Sequence, residues 1–174
     1  MYRLETMLNG GKKMNVYMTT GTVDFLKKIE TKYSNEIMVT MINENGALLL
    51  HETNGPSEFK EPRKYEVAEA IGQIKKEGYV VMNYIPVTDE GRPLFEHQVR
   101  QQTQSMSNAE GFTVLRLLRP QLSSTYIIMT VWEKETYYQK WNQTESFFGT
   151  LTSIDAQAGI FSGAPYANKY AITD

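Results

Sequence analysis

The chain has 174 residues, a length that allows one sizeable hydrophobic core or two small subdomains. Its 18 basic and 20 acidic residues leave a net charge of −2 with no block of either sign, which argues against a nucleic-acid-binding protein. The sequence has no cysteine and no apolar run long enough for a membrane span, so we expect no disulfide, no thiolate metal site and no membrane insertion. These features favour a cytoplasmic location.

The first half of the chain predicts a strand, a helix and a β-hairpin. Residues 1–13 are expected to form a flexible N-terminal extension, because a polar, glycine-containing stretch separates them from the first apolar run. The Asn45-Gly46 pair between two apolar runs is a strong hairpin signal. The expected elements are a strand at 14–19, a helix at 23–29 and hairpin strands at 37–42 and 47–52. Residues 57–75 stay ambiguous between strand and helix.

The second half of the chain predicts a complete order of strands and helices. Residues 79–87 are apolar on both faces, as in an interior strand. Capping residues and Pro93 then predict a helix that ends near Ser107. The further expected elements are strands at 111–119 and 125–132, a helix at 133–141, a short helix at 145–152 and a strand-like segment at 159–172. This is the ferredoxin-like βαββαβ order.

The two halves predict related units, because the first half repeats the strand, helix, strand, strand order in a shorter version. We therefore predict an α+β fold in which a partial ferredoxin-like subdomain at 14–75 precedes a ferredoxin-like domain at 76–174. Their sheets are expected to pack together as an intramolecular pseudo-dimer, a dimeric alpha-beta barrel formed within one monomer.

Several motifs along the chain resemble those of a known family. They are NYIPVTDEGRPLFE at 83–96, Gly111-Phe112, LLRP at 117–120, TVWE at 130–133 and Trp141. In this order and spacing they resemble the antibiotic-biosynthesis monooxygenase superfamily, and within it the Isd-type haem-degrading monooxygenases. The first half resembles the longer, HmoB- and TRAP-like members of that family. The motifs there are YMTTGT at 17–22, His51-Glu52-Thr53, Tyr65-Glu66-Val67 and Gly72.

The resemblance implies an enzyme that opens the haem ring with O2 and an external electron donor, and releases iron and a staphylobilin-type product. Haem would be both substrate and cofactor, and an unidentified reductase or reductant would be a partner. In the family an asparagine on the first strand, a tryptophan ending the second helix and a histidine ligand carry the chemistry. Asn83 and Trp141 match the first two, whereas Leu151 stands at the histidine position.

The resemblance also assigns roles to the residues around this site. Asn83 would hydrogen-bond on the distal side of haem and Trp141 would press on the porphyrin. The expected pocket lining is Leu151, Phe147, Phe148 and Tyr138. The iron ligand stays open, and the candidates are His97, Tyr137, Tyr138 and Met129. His97 follows Phe95 by two residues on the same helix, so its side chain is expected to face solvent instead. His51 is expected at a strand end in the first half, with a hydrogen bond there.

Structural roles and other functions stay open as alternatives. A hydrogen bond within the fold explains Asn83 as well as a ligand does, and helical spacing explains the aromatic residues 137, 138 and 141 as core. The alternative functions are a non-catalytic haem-binding protein, a TRAP-like stress or signalling protein of the same fold, and oxygenation of another aromatic substrate. The missing histidine favours the non-catalytic alternatives, whereas Asn83 and Trp141 favour the enzyme.

Overall fold

The computed structural model describes residues 13–144 and 159–173. Within these ranges the chain contains eight strands and three helices. In chain order they are β1 Asn15–Gly21, α1 Val23–Lys32, β2 Ile37–Asn43, β3 Gly46–Thr53, β4 Arg63–Ile71, β5 Tyr79–Pro86, α2 Arg92–Ser107, β6 Phe112–Pro120, β7 Thr125–Trp132, α3 Glu135–Thr144 and β8 Tyr166–Ile172. The predicted extension, apart from Lys13, and the predicted short helix at 145–152 lie outside the described residues.

The eight strands form one closed barrel in the order β1-β3-β2-β8-β5-β7-β6-β4, and all neighbouring strands are antiparallel. The first four strands lie in the spatial order β4-β1-β3-β2, and the last four lie in the equivalent order β8-β5-β7-β6. The barrel is therefore two ferredoxin-like sheets joined edge to edge in one chain. This arrangement confirms the predicted α+β, ferredoxin-like pseudo-dimer.

The ambiguous segment before the second half is a strand. β4 pairs with β1 on one side and with β6 on the other, so it completes the first sheet. Tyr65 and Val67 point into the barrel with a period of two, which the helical alternative does not allow. The first half therefore has all four strands of the ferredoxin-like unit. It differs from the second half because residues 54–62, between β3 and β4, contain no helix.

The two seams between the sheets differ in length. β4 and β6 pair from Tyr65↔Pro120 to Ile71↔Leu115, whereas β2 and β8 pair only at Met41↔Ile172 and Ile42↔Ala171. A buried ion pair crosses the barrel interior between the sheets: the Arg116 guanidinium of β6 donates to the Glu52 carboxylate of β3, with Nε to Oε2 at 2.6 Å.

The apolar residues form a barrel interior and two outer layers. Alternation along β5 places Val80 and Met82 inside the barrel and Val81 and Ile85 outside, so both faces of this strand are buried as predicted. The outer face of the second sheet packs against α2 and α3, and the outer face of the first packs against α1. No helix in the described part of the chain is long and apolar enough to span a membrane.

Candidate functional site

Asn83 lies in the middle of β5, where it pairs with Ile128 of β7 and Ala167 of β8. Its side chain points to the outer face of the second sheet, as those of Val81 and Ile85 do. It is 7% exposed, and its Oδ1 is buried and accepts no hydrogen bond from any described residue. A buried polar atom without a partner costs about 1–3 kcal/mol, so this amide is placed for a ligand or a bound water.

The β8 side of Asn83 is open. Ala167 and Lys169 share the outer face with Asn83, and both are exposed. Ala167, which pairs with Asn83 across the strands, has a small side chain. Asn83, Ala167 and Lys169 together form a strip that we call the open strip.

Aromatic rings of α3 and β7 form a cluster that contacts the open strip through Tyr138, whose ring centroid lies 5.5 Å from Lys169 Nζ. Trp141, in the last turn of α3, is half-buried, and its ring centroid lies 5.4 Å from that of Trp132 and 6.4 Å from that of Tyr138. Trp132 is fully buried, and its Nε1 donates to Thr130 Oγ1 at 3.0 Å. Trp141 therefore packs on the core through one side and keeps part of its surface accessible. It also lines a cleft of about 310 Å³ between the ends of α2 and α3.

A glycine fixes the position of α3. Gly111 has φ +78°, a conformation that L side chains rarely adopt, and the Tyr137 ring packs directly where a Cβ would stand. Glu133 N also donates to Gly111 O at 2.8 Å, which ties the start of the α3 region to the loop before β6. These contacts hold the helix that presents Trp141 and Tyr138.

A buried carboxylate anchors α2 on the outer face of the same sheet. Glu96 accepts from Arg119 Nε at 2.8 Å and Nη2 at 2.6 Å, and from the Tyr126 hydroxyl at 2.5 Å. Burial acts to raise the pKa of Glu96, but the hydrogen bonds from Arg119 and Tyr126 outweigh it and lower that pKa. Sequence reasoning missed this residue. The available signal was a carboxylate between the buried Phe95 and Val99, four residues before Arg100.

The four predicted iron-ligand candidates lie in different parts of the structure. His97 is exposed and points away from the sheet, as its spacing from Phe95 predicts. The prediction of Met129 as an iron ligand is wrong. Its side chain lies inside the barrel, on the opposite face of the sheet from Asn83, because it alternates with Ile128. Tyr137 packs over Gly111.

Tyr138 is the candidate that lies beside Trp141 and the open strip. Burial raises the pKa of its phenol, so the side chain is neutral near pH 7. The other histidine of the sequence, His51, lies in the first half at the end of β3, and its Nε2 is 2.8 Å from Glu36 Oε1, as predicted for a hydrogen-bonded strand end. Neither histidine therefore faces Asn83.

Three predicted lining residues, Phe147, Phe148 and Leu151, lie outside the described residues. Among the described residues no group of three or more acidic or histidine side chains is arranged to hold a metal ion. A wider cleft of about 680 Å³ lies where residues 72–78 cross the ends of β6 and β7, and neither Asn83 nor Trp141 lines it. We therefore take the open strip, with Trp141 and Tyr138, as the candidate site.

The chain is similar over most of its length to two known proteins. A haem-degrading monooxygenase of Listeria monocytogenes is 27% identical over 155 residues, which cover 89% of this chain and 92% of that protein. The signal transduction protein TRAP of Staphylococcus epidermidis is 25% identical over 157 residues, which cover 90% and 93%.

Solved structures share the whole architecture. A monooxygenase-like protein of Listeria innocua has a TM-score of 0.78 at 26% identity and covers 98% of this chain and 99% of that one. The haem-degrading enzyme of Listeria monocytogenes has a TM-score of 0.73 at 23% identity, covers 91% and 99%, and shows likeness of fold alone. Residues 78–149, which contain β5, α2, β6, β7 and α3, match the antibiotic biosynthesis monooxygenase family model. The second half of the chain is therefore similar to the antibiotic biosynthesis monooxygenase family over residues 78–149.

Proposed function

We propose that the chain is a haem-degrading monooxygenase, which binds haem at the open strip and opens the porphyrin ring with O2 and an external reductant, releasing iron. The observation that carries the proposal is the buried Oδ1 of Asn83, which has no partner among the described residues and stands beside an exposed, small residue. The 27% identity to a haem-degrading monooxygenase over most of both chains supports the same substrate.

The residues present fit a flat, largely apolar substrate. The amide of Asn83 offers either an acceptor or a donor, because a half-turn of the side chain exchanges its oxygen and nitrogen. Trp141 and Tyr138 provide aromatic surface at one border, and the small side chain of Ala167 lies at the other. When bound, haem supplies the iron and the oxidisable ring carbon, whereas the protein supplies binding, orientation and electrostatics.

Each residue has a separate task in this proposal. Asn83 gains the hydrogen bond that it lacks and orients the substrate by that bond. Trp141 packs on the porphyrin and keeps water from that side. Tyr138 lines the pocket, and its raised pKa opposes ligation as a phenolate. Neither histidine of the chain faces the site, so neither would hold haem there.

The position of the histidines favours one competing function, a non-catalytic haem-binding or TRAP-like protein. Without an imidazole ligand, haem binds more weakly, and its iron chemistry changes. The 25% identity to TRAP over 157 residues agrees with this alternative. The two functions differ in one observable, the fate of bound haem in the presence of a reductant.

A hemin titration followed by reduction tests the proposal. Purified protein is titrated with hemin while the Soret band is recorded, and ascorbate is then added in air. Saturable binding followed by loss of the Soret band supports the enzyme. Binding without loss of the band supports the non-catalytic alternative, and absence of binding refutes both.

Variants of Asn83 test the role of the buried amide. Asn83→Ala should slow the loss of the Soret band at least tenfold, the effect of about 1.4 kcal/mol. Asn168→Ala is a matched control, because it removes the same amide from the opposite face of the neighbouring strand. An equal rate in Asn83→Ala and in the unaltered protein would remove Asn83 from the mechanism.

A further inference from the structure

Lys169 stands on the open strip next to the candidate site. The strand register pairs Lys169 with Val81 and Ala167 with Asn83, so the lysine lies about 7 Å along the strand from the small residue beside the buried amide. Both β8 residues are exposed. A ligand that lies on Ala167 and reaches Asn83 therefore extends toward the ammonium group.

The Lys169 ammonium contacts an aromatic ring and has no acidic partner among the described residues. Its Nζ lies 5.5 Å from the centroid of the Tyr138 ring, within the range of a cation–π contact. Within the described ranges no carboxylate lies at ion-pair distance from it. Two cations of α2 and α3 are paired instead: Arg100 contacts Glu96 and Glu69 at 3.3 Å each, and Lys140 lies 3.8 Å from Glu110.

The first half of the chain repeats this lysine without the rest of the site. Lys64 of β4 lies 6.0 Å from the centroid of the Tyr17 ring and pairs with Tyr17 in the register of β1 and β4. The Tyr17 hydroxyl donates to Gly55 O, and its ring packs near His51. Lys64 therefore has the same charge, exposure and ring contact, but no small residue and no buried amide without a partner beside it.

From these contacts we infer that Lys169 recognises an anionic substituent of the ligand, so the site takes a planar molecule that carries a carboxylate at its edge. On the proposed function, on which this inference rests, that carboxylate is a propionate of haem. The Tyr138 ring keeps the Lys169 ammonium at the border of the open strip. There the ammonium can bind the carboxylate of the ligand without first breaking an ion pair with a described residue. Lys169 is thus a specificity-determining residue that selects the orientation of the substrate.

Hemin binding by charge variants tests the inference without any measurement of turnover. The Kd for hemin is measured from the Soret band for the unaltered protein, Lys169→Gln and Lys64→Gln. Lys169→Gln should weaken hemin binding about five- to tenfold, the size of one partly exposed charge-assisted hydrogen bond, and Lys169→Arg should restore most of the loss. Lys64→Gln should leave the Kd unchanged.

The dimethyl ester of hemin identifies the group that meets the lysine, because it has no propionate charge. The ester should bind the unaltered protein and Lys169→Gln equally well, so that the effect of the substitution disappears. If hemin binds the unaltered protein but Lys169→Gln binds it as tightly, the inference is overturned and the proposed function stands. An equal loss for hemin and its ester also overturns the inference. If hemin does not bind the unaltered protein, both are overturned.

Discussion

Removal of the Glu52 carboxylate tests whether the barrel interior excludes water where the two sheets meet. Glu52 and Arg116 are 6% and 1% exposed, and guanidinium Nε and Nη2 donate to the carboxylate at 2.6 and 3.2 Å. Arg116 Nη1 also donates to the carbonyls of Ile71 and Leu115. Glu52→Ala keeps those two bonds but leaves a buried positive charge without its counter-charge. Loss of one partner of such a pair costs about 3–5 kcal/mol of unfolding free energy.

Urea unfolding monitored by circular dichroism measures this cost. With a slope of about 2 kcal/mol/M, a loss of 4 kcal/mol lowers the midpoint by about 2 M. Asp89→Ala is the matched control, because it removes an exposed ion pair with Arg92, in which the Asp89 side chain is 88% exposed; its effect should stay below about 0.5 kcal/mol. The double variant Glu52→Leu with Arg116→Met should recover most of the loss, since it removes both buried charges.

The midpoint of Glu52→Ala decides the question. A midpoint that falls no further than that of Asp89→Ala would show that solvent reaches the guanidinium, and the buried pair would then not link the sheets. Glu52→Gln gives a second measurement if Glu52→Ala fails to fold. Glutamine keeps a hydrogen-bond acceptor of the same shape, so the loss of unfolding free energy in Glu52→Gln should lie between the losses in Asp89→Ala and Glu52→Ala.

Three further predictions follow from the site's surroundings. Glu96→Gln should destabilise the protein at neutral pH, because a carboxyl with a lowered pKa stabilises the fold above its usual pKa. In acid unfolding curves the difference should shrink as the pH falls below about 4.5 and vanish below the lowered pKa of Glu96. Burial raises the pKa of Tyr84 to about 12, so the stability from its neutral phenol is lost as pH rises above 10, and Tyr84→Phe should show a shallower loss in alkaline urea titrations. Gly111→Ala should lower the free energy of unfolding by about 1–2 kcal/mol because of its positive φ, and further because the added methyl group meets the Tyr137 ring. The fluorescence of Trp141 in α3 should change as the helix shifts.

Local patterns were enough to predict most of the elements. The apolar residues of β5 on both faces, the Asn-Gly hairpin and Pro93 near the start of α2 each predict an element that the structure contains. β4 was ambiguous because Val67 and Ile71 satisfy helical spacing and a strand at once. Pairing with β1 and β6 decides between them, and that pairing is a long-range interaction with no local signal.

Part of the candidate site could also be predicted from the sequence, whereas the rest depends on which strands pair. The resemblance points to Asn83 and Trp141. Asn83 faces outward, its Oδ1 has no hydrogen-bond partner among residues 13–144 and 159–173, and Trp141 packs on the same face of the sheet. Met129 needed the register of β5 and β7 before its face could be assigned. Arg116 and Glu52 are 64 positions apart, so no spacing rule brings them together. Lys169 depends on which strand lies beside β5, which the order of elements alone does not specify.

The loop at 54–62 has a consequence for ligand stoichiometry. A homodimer of complete ferredoxin-like units offers two equal clefts, and occupancy of one can influence the other. Here one unit has lost its second helix, and Phe59 from the loop packs beside His51 on the first sheet instead. The two halves of the chain therefore differ in structure, and on the proposed function a titration is expected to end at one hemin per chain with a hyperbolic isotherm.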